Sequence, residues 1–174
     1  MQYINKILIT GMPGCGKTTL IRRIAAKIED PYYGFFTSEI RQRGSRLGFE
    51  IETFSGKRGL LAHVKIESPH KVSKYGVDVE AFEIIALPEL ENALQSGSLL
   101  LLDEIGKMEL FSQKFKELLL KVFNSKTRLV ATIMYRPEPF CDRLKAMPDT
   151  KVLVLERNNH EEILKVVSGY LANL

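Results

Sequence analysis

The 174-residue chain has no tryptophan, only two cysteines, Cys15 and Cys141, and only three histidines. Two cysteines make no disulfide scaffold. His63, His70 and His160 lack metal-ligand spacing, so no role is expected for them. No run of about 18 apolar residues occurs, which leaves no candidate for a membrane-spanning helix. No signal-peptide pattern precedes the first apolar segment, and internal repeats and low-complexity tracts are missing. Neither sign of charge dominates. The net charge is +4 and the pI about 9.0, too weakly basic to argue for nucleic acid, and anionic small ligands alone would explain it. What remains is an ordinary globular composition, 45% hydrophobic and 26% charged. The length suits a single domain over residues 1–174 with a sizeable core, expected to be a cytoplasmic monomer.

Against this background one stretch stands out. Gly11-Met12-Pro13-Gly14-Cys15-Gly16-Lys17-Thr18 fits G-x-x-x-x-G-K-[ST]. A short apolar run, Tyr3 to Thr10, precedes it. A helical pattern with Leu20, Ile21, Ile24 and Ile28 on one face follows. A glycine turn that binds nothing would not need that context. A helix N-terminus offers unpaired N–H groups and partial positive charge. Glycines let the backbone wrap closely around phosphate, and Pro13 stands where no donor is needed. Lys17 is expected on the outer phosphates and Thr18 on Mg²⁺, which takes few protein ligands. Cys15, inside this loop, points to a reducing compartment.

Periodicity lays out the rest. The first helix is expected to run to Glu29-Asp30, before Pro31. Tyr32–Ile40 and Leu47–Phe54 read as strands around a turn centred on Gly44-Ser45, and Leu60–Ile66 as another strand. Glu67–Tyr75 reads as a surface loop, and Pro88 as the first residue of a helix that Gly97 closes. Leu99-Leu100-Leu101-Leu102 has the form of a strand buried on both faces. Gly106–Phe123 reads as a helix with Met108, Phe111, Phe115, Leu118, Leu119 and Val122 inward. Leu129–Met134 and Lys151–Leu155 read as strands. Arg136–Phe140 reads as a rigid loop and Cys141–Ala146 as a helical turn. Asn158 or Asn159 is expected to cap the last helix. Alternating strands and helices predict a three-layer α/β fold, with a mostly parallel central sheet and an antiparallel hairpin excursion. Ligands bind such folds at the carboxyl ends of the strands.

Asp103-Glu104 lies at such an end. It is either a polar strand tip or a Walker B element, in which Asp103 holds Mg²⁺ and Glu104 deprotonates an attacking water. The neighbouring glycine motif favours the second. Thr132, near the next strand tip, either meets the γ-phosphate or faces a neighbouring strand. Arg136 is either a charge stabiliser supplied in cis or a solvated loop residue. Arg41, Arg43 and Arg46 crowd the hairpin tip as a solvated turn, a lid or a site for an anionic partner.

Gly34-Phe35-Phe36-Thr37-Ser38-Glu39-Ile40-Arg41 with Gly44-Ser45-Arg46-Leu47-Gly48-Phe49, Lys74-Tyr75-Gly76-Val77-Asp78-Val79-Glu80, and Asp103-Glu104-Ile105-Gly106-Lys107-Met108-Glu109-Leu110 together resemble a small family. These are the P-loop nucleoside-triphosphatases of thermophilic prokaryotes, whose animal relative is called cancer-related nucleoside-triphosphatase. The resemblance runs from Lys6 to the last helix. It implies a RecA-like fold with one strand between the phosphate-loop and Walker B strands. It also implies slow Mg²⁺-dependent hydrolysis of ATP, GTP and other nucleoside triphosphates to diphosphate and phosphate. By position it assigns nucleotide binding to Gly11 through Thr18, joined by Thr19, and to Leu100-Leu101-Leu102-Asp103-Glu104-Ile105-Gly106-Lys107. The family's Asn-Arg pair after the last strand is shifted or lost in Leu155-Glu156-Arg157-Asn158-Asn159-His160. Two other functions fit parts of the sequence: a kinase for a nucleoside or other small acceptor, and a nucleotide-dependent nucleic-acid switch using Arg41, Arg43, Arg46 and Lys57-Arg58.

Overall fold

A computed structural model describes residues 4–172; the start of the expected first strand at Tyr3 lies outside them. The strands are β1 (Lys6–Thr10), β2 (Tyr32–Gln42), β3 (Ser45–Thr53), β4 (Arg58–His63), β5 (Lys71–Val72), β6 (Tyr75–Val77), β7 (Leu99–Ile105), β8 (Leu129–Ile133) and β9 (Thr150–Val154). The helices are α1 (Lys17–Ala25), α2 (Val79–Ser96), α3 (Gln113–Phe123), α4 (Pro139–Lys145) and α5 (His160–Ala172). All nine strands join one sheet in the order β5-β6-β4-β3-β2-β7-β8-β1-β9. From β2 to β9 the pairs are parallel; β3, β4, β6 and β5 extend the sheet antiparallel. β8 lies between β1 and β7, the order a RecA-like fold requires.

The leucine run shows why three layers form. Leu100 and Leu102 face one core with Phe35, Phe82 and Phe115. Leu99 and Leu101 face the other with Ile7, Ile9, Leu20 and Ile24. Strands apolar on both sides need helices on both. α2, α3 and α4 contribute to the first core, α1 and α5 to the second. Phe35, Phe82 and Phe115 meet with ring centroids 5.1 to 6.1 Å apart.

Several element boundaries differ from expectation, each for a local reason. α1 stops at Ala25 because its last turn tightens into i→i+3 bonds, Lys27 N–H to Ile24 O and Ile28 N–H to Ala25 O. The β2–β3 turn is centred on Arg43-Gly44, both at positive φ (48° and 80°), as a two-residue hairpin loop demands. Part of the expected Glu67–Tyr75 loop forms the β5–β6 hairpin. Pro88 lies inside α2, which starts at Val79, nine residues before it, capped by Asp78, whose side chain accepts from Ala81 N–H at 2.9 Å. The carbonyl that Pro88 leaves unpaired is that of Ile84, on the solvent side of α2. The expected Gly106–Phe123 helix divides into a 3₁₀ turn at Glu109–Phe111 and α3, because Ser112 Oγ accepts from Phe115 N–H and starts a new helix. Glu138 Oε2 accepts from Cys141 N–H and starts α4 at Pro139. Asn159 precedes α5, but its side chain turns back to Glu156 N–H and Val154 O. Among the described residues no helix is long and apolar enough to cross a membrane.

Candidate active site

Three parallel strand ends converge. β1 ends at Thr10 and runs directly into Gly11–Gly16. Gly14 and Gly16 take positive φ, 78° and 97°, which curls the loop before α1. No side chain caps α1 and its first turn carries no acid, so its terminal N–H groups face outward for an anion. A Cβ on Gly11 would stand 2.5 Å from the Leu155 carbonyl oxygen. Lys17 Nζ donates to Gly11 O at 2.9 Å, folding over the loop.

β7 supplies two acids by means of a register change. Leu102 pairs with Ala131 and Ile105 with Ile133, so Asp103 and Glu104 together oppose Thr132. In a regular strand these neighbours would point to opposite faces. The extra residue re-aims the chain, as bulges do, and both acids line the cleft above Gly14, Gly16, Lys17, Thr18 and Thr19. Asp103 is 2% exposed. It accepts 2.6 Å hydrogen bonds from Thr18 Oγ1 on Oδ2 and from Thr132 Oγ1 on Oδ1. Burial raises its pKa, and the two hydroxyls, Lys17 and Arg22 counter that rise. Burial lifts Glu104 to about 7, against the pull of Lys17 and with a further push from Asp103. A carboxyl titrating near neutrality beside a lysine suits proton transfer.

Thr18 and Asp103 present two hard oxygens in contact, and Asp103 is a buried acid whose side-chain donors among the described residues are two hydroxyls. That donor set fits a divalent, oxygen-seeking cation such as Mg²⁺. Thr132 takes the second of its two expected places: it faces a neighbour, and the neighbour is Asp103. Leu100, Leu101, Leu102 and Ile105 are buried in the sheet, so of the Leu100–Lys107 segment Asp103, Glu104 and Lys107 reach the clefts. Met12 points to solvent and Cys15 is a buried free thiol.

A wider cavity of about 480 Å³ adjoins this cleft and shares Pro13, Lys17, Thr37, Arg46, Phe49 and Glu104 with it. Arg136 and Lys107 are on its wall. Arg41 and Arg46 share the Glu39 carboxylate, on Oε2 and Oε1, and Arg46, though exposed, also donates to Tyr75 Oη and borders the cavity. Two contributors escape sequence reasoning. His160, given no role, places Nε2 2.6 Å from Cys15 O and packs its ring where a Gly16 Cβ would fall; a signal existed only in its position at the start of the last helix. Glu109 is 4% exposed and lines the cavity. Burial and Glu104 lift it to about 8, and the N–H groups of Glu109 and Gly106 partly offset this.

The NTPase family model matches residues 6–168. The chain belongs to the NTPase family. It is 43% identical over 162 residues to the nucleoside-triphosphatase THEP1 of Thermotoga petrophila, covering 93% of this chain and 90% of that protein. It is 37% identical over 174 residues to the human cancer-related nucleoside-triphosphatase, covering 91% and 92%. Among solved structures, the crystal structure of THEP1 from Aquifex aeolicus superposes with a TM-score of 0.86 at 36% identity, over 93% of this chain and 96% of that one.

Proposed function

We propose that the chain hydrolyses nucleoside triphosphates, ATP and GTP among them, to the diphosphate and phosphate. The observation that carries this is the β7 bulge, which sets Asp103 and Glu104 together beside Lys17 and the bare end of α1. Loop N–H groups from Gly11 to Thr19 and the Lys17 ammonium bind and neutralise the phosphates. Glu104 takes the proton of a water that attacks the γ-phosphorus in line, and the electron pair of the breaking bond leaves with the diphosphate. Arg136, exposed on the cavity wall, would neutralise charge on the γ-phosphoryl group. Thr18 and Asp103 would hold Mg²⁺, which would supply positive charge against the phosphates. The chain is taken as one domain acting as a cytoplasmic monomer without nucleic acid. Phosphate release from ATP and GTP, with and without Mg²⁺, tests the reading. Glu104→Gln is expected to bind nucleotide and lose turnover by about 10² or more; turnover equal to wild type would remove Glu104 as the base.

A further inference from the structure

Hydrolysis needs room at the γ-phosphate for one water. The cavity of about 480 Å³ is instead within the roughly 300–1,000 Å³ range of small-molecule pockets. The loop N–H groups hold the inner phosphates and Lys17 the outer ones. The γ-phosphoryl end therefore lies toward Lys17 and Glu104, both on the cavity wall. The wall is drawn from the β1–α1 loop, β2, β3, β4, β5, β7 and the segments after β7 and β8; β9 and α5 contribute nothing to it. In the sheet order β9 lies on the far side of β1 from β8 and β7. So the cavity overlaps the phosphate cleft at Lys17 and Glu104 and extends from there toward β3, β4 and β5.

Its lining is specific in kind. Phe49, Leu61, Val72, Met108 and Met134 make apolar walls suited to a flat ring. Lys107 and Arg136 bring two positive charges, and Arg46, already paired with Glu39, borders them. Lys107 and Arg136 are exposed and form no ion pair with another described residue. Glu109 is a carboxyl almost wholly buried, in line with the cavity rather than solvent. Gly106 lies between the two acids: a Cβ there would stand 2.9 Å from Glu104 Oε1 and 3.2 Å from Glu109 Oε2. A water site gives no account of an apolar slot, a cationic rim and a second buried acid. A molecule with a flat polar-edged ring and an anionic phosphate accounts for all three.

We propose that this cavity binds a nucleoside monophosphate as a phosphoryl acceptor, its ring between Phe49 and Met134 with an edge on Glu109, and its phosphate among Arg46, Lys107 and Arg136. An oxygen of that phosphate forms a bond to the γ-phosphorus. The bond from the γ-phosphorus to the bridging oxygen breaks, and its electron pair leaves with the donor diphosphate. Any proton on the acceptor phosphate passes to Glu104. One triphosphate and one monophosphate give two diphosphates, with nothing left over. Water enters the same line of attack when the cavity is empty, so the inference rests on the proposed triphosphate site at Gly11–Thr18.

The test uses the full chain with AMP, CMP, GMP and UMP. Each is titrated calorimetrically while Mg²⁺ and a non-hydrolysable triphosphate analogue saturate the loop, so that the probe cannot occupy the triphosphate site. ATP labelled in its γ-phosphate is then turned over with each probe. At least one monophosphate is expected to bind, and the label is expected in its diphosphate. Val72→Trp fills the slot and Glu109→Gln changes the buried acid; each is expected to weaken binding by about tenfold or more. Failure of all four probes to bind overturns the proposal. So does label appearing only in inorganic phosphate, even where a probe binds, and so does wild-type binding by a folded Val72→Trp or Glu109→Gln protein. Release of inorganic phosphate in those cases leaves the triphosphate site standing. Neither phosphate release nor transfer would remove both readings together.

Discussion

Thr132→Val separates the roles of two threonines that hold one acid. Both hydroxyls donate to Asp103 at 2.6 Å. Mg²⁺, if Thr18 and Asp103 hold it as proposed, would compete for the Thr18 hydroxyl oxygen that now donates to Asp103. Thr132 becomes the remaining side chain that orients the carboxylate. Valine has nearly the shape of threonine, and position 132 is fully buried, so the substitution removes the hydroxyl with little change in packing. A hydrogen bond to a charged group contributes roughly 1.5–3 kcal/mol, and 1.4 kcal/mol is tenfold. The Mg²⁺ concentration for half-maximal phosphate release is therefore expected to rise about ten- to a hundredfold. Folding stability is expected to fall by about 1–3 kcal/mol, because a buried carboxylate loses a donor. Thr132→Ser, which retains the hydroxyl, should restore the Mg²⁺ response. Steady-state hydrolysis across an Mg²⁺ titration, with denaturant melts alongside, decides it. An Mg²⁺ response in Thr132→Val equal to wild type would show that Asp103 is not the carboxylate that binds the metal, or that Thr132 does not orient it.

The remaining expectations are briefer. Glu104 acts as a base only when ionised, and burial places it at about 7; kcat/KM should therefore rise with pH through about 6 to 8 and then level, and a flat profile would contradict the assignment. Lys6, fully buried with Nζ on Asn5 Oδ1 and Ser125 O, is depressed to about 8 by burial, with Asp149 pulling the other way. Between about 8 and 10.5 the unfolded chain holds the proton that the folded chain releases, so stability should rise with pH there, by up to about 1.4 kcal/mol per unit. Lys6→Met should flatten that slope in denaturant melts at stepped pH, and an unchanged slope would refute the cause. A Cβ on Gly34, at φ 139°, would stand 1.8 Å from Leu101 O; Gly34→Ala should cost more than about 3 kcal/mol, and a melting temperature near wild type would show that β2 shifts freely against β7.

The parts of the site that were legible in the sequence are contiguous. Gly11 to Thr18 carries its fold in its own spacing, because one turn and one helix start suffice to build it. The buried run before Asp103 was equally readable, since two-sided burial leaves four leucines in a row. Glu104 was only half readable. Its direction depends on β7 holding two residues against the one of β8, and register between distant strands leaves no mark on either strand alone. Glu109 was hidden by a helical reading of Gly106–Phe123, whose inward stripe left position 109 facing water. The 3₁₀ turn tightens the chain and brings that acid inside. His160 was hidden because it serves a loop 145 positions away, and a lone histidine has no pattern to detect. Pro88 misled for a different reason: tertiary packing of α2 over β2, β3 and β4 outweighs the loss of one helical bond.

The two halves of the sheet divide the chemistry unequally. β1 with α1, β7 and β8 position Lys17, Thr18, Asp103, Glu104 and Thr132, the side chains around the phosphate cleft. The antiparallel half adds Arg46 and Phe49 from β3, Leu61 from β4 and Val72 from β5 to the same cavity. It is held in place at some expense. Arg46 is anchored by both Tyr75 Oη and Glu39 and sits over the Phe49 ring at 5.2 Å. Gly48 and Gly76 allow backbone approaches of 2.2 and 2.0 Å to where a Cβ would be. Filling the slot distinguishes the two functions: Val72→Trp should leave less room for an acceptor and no less for a water.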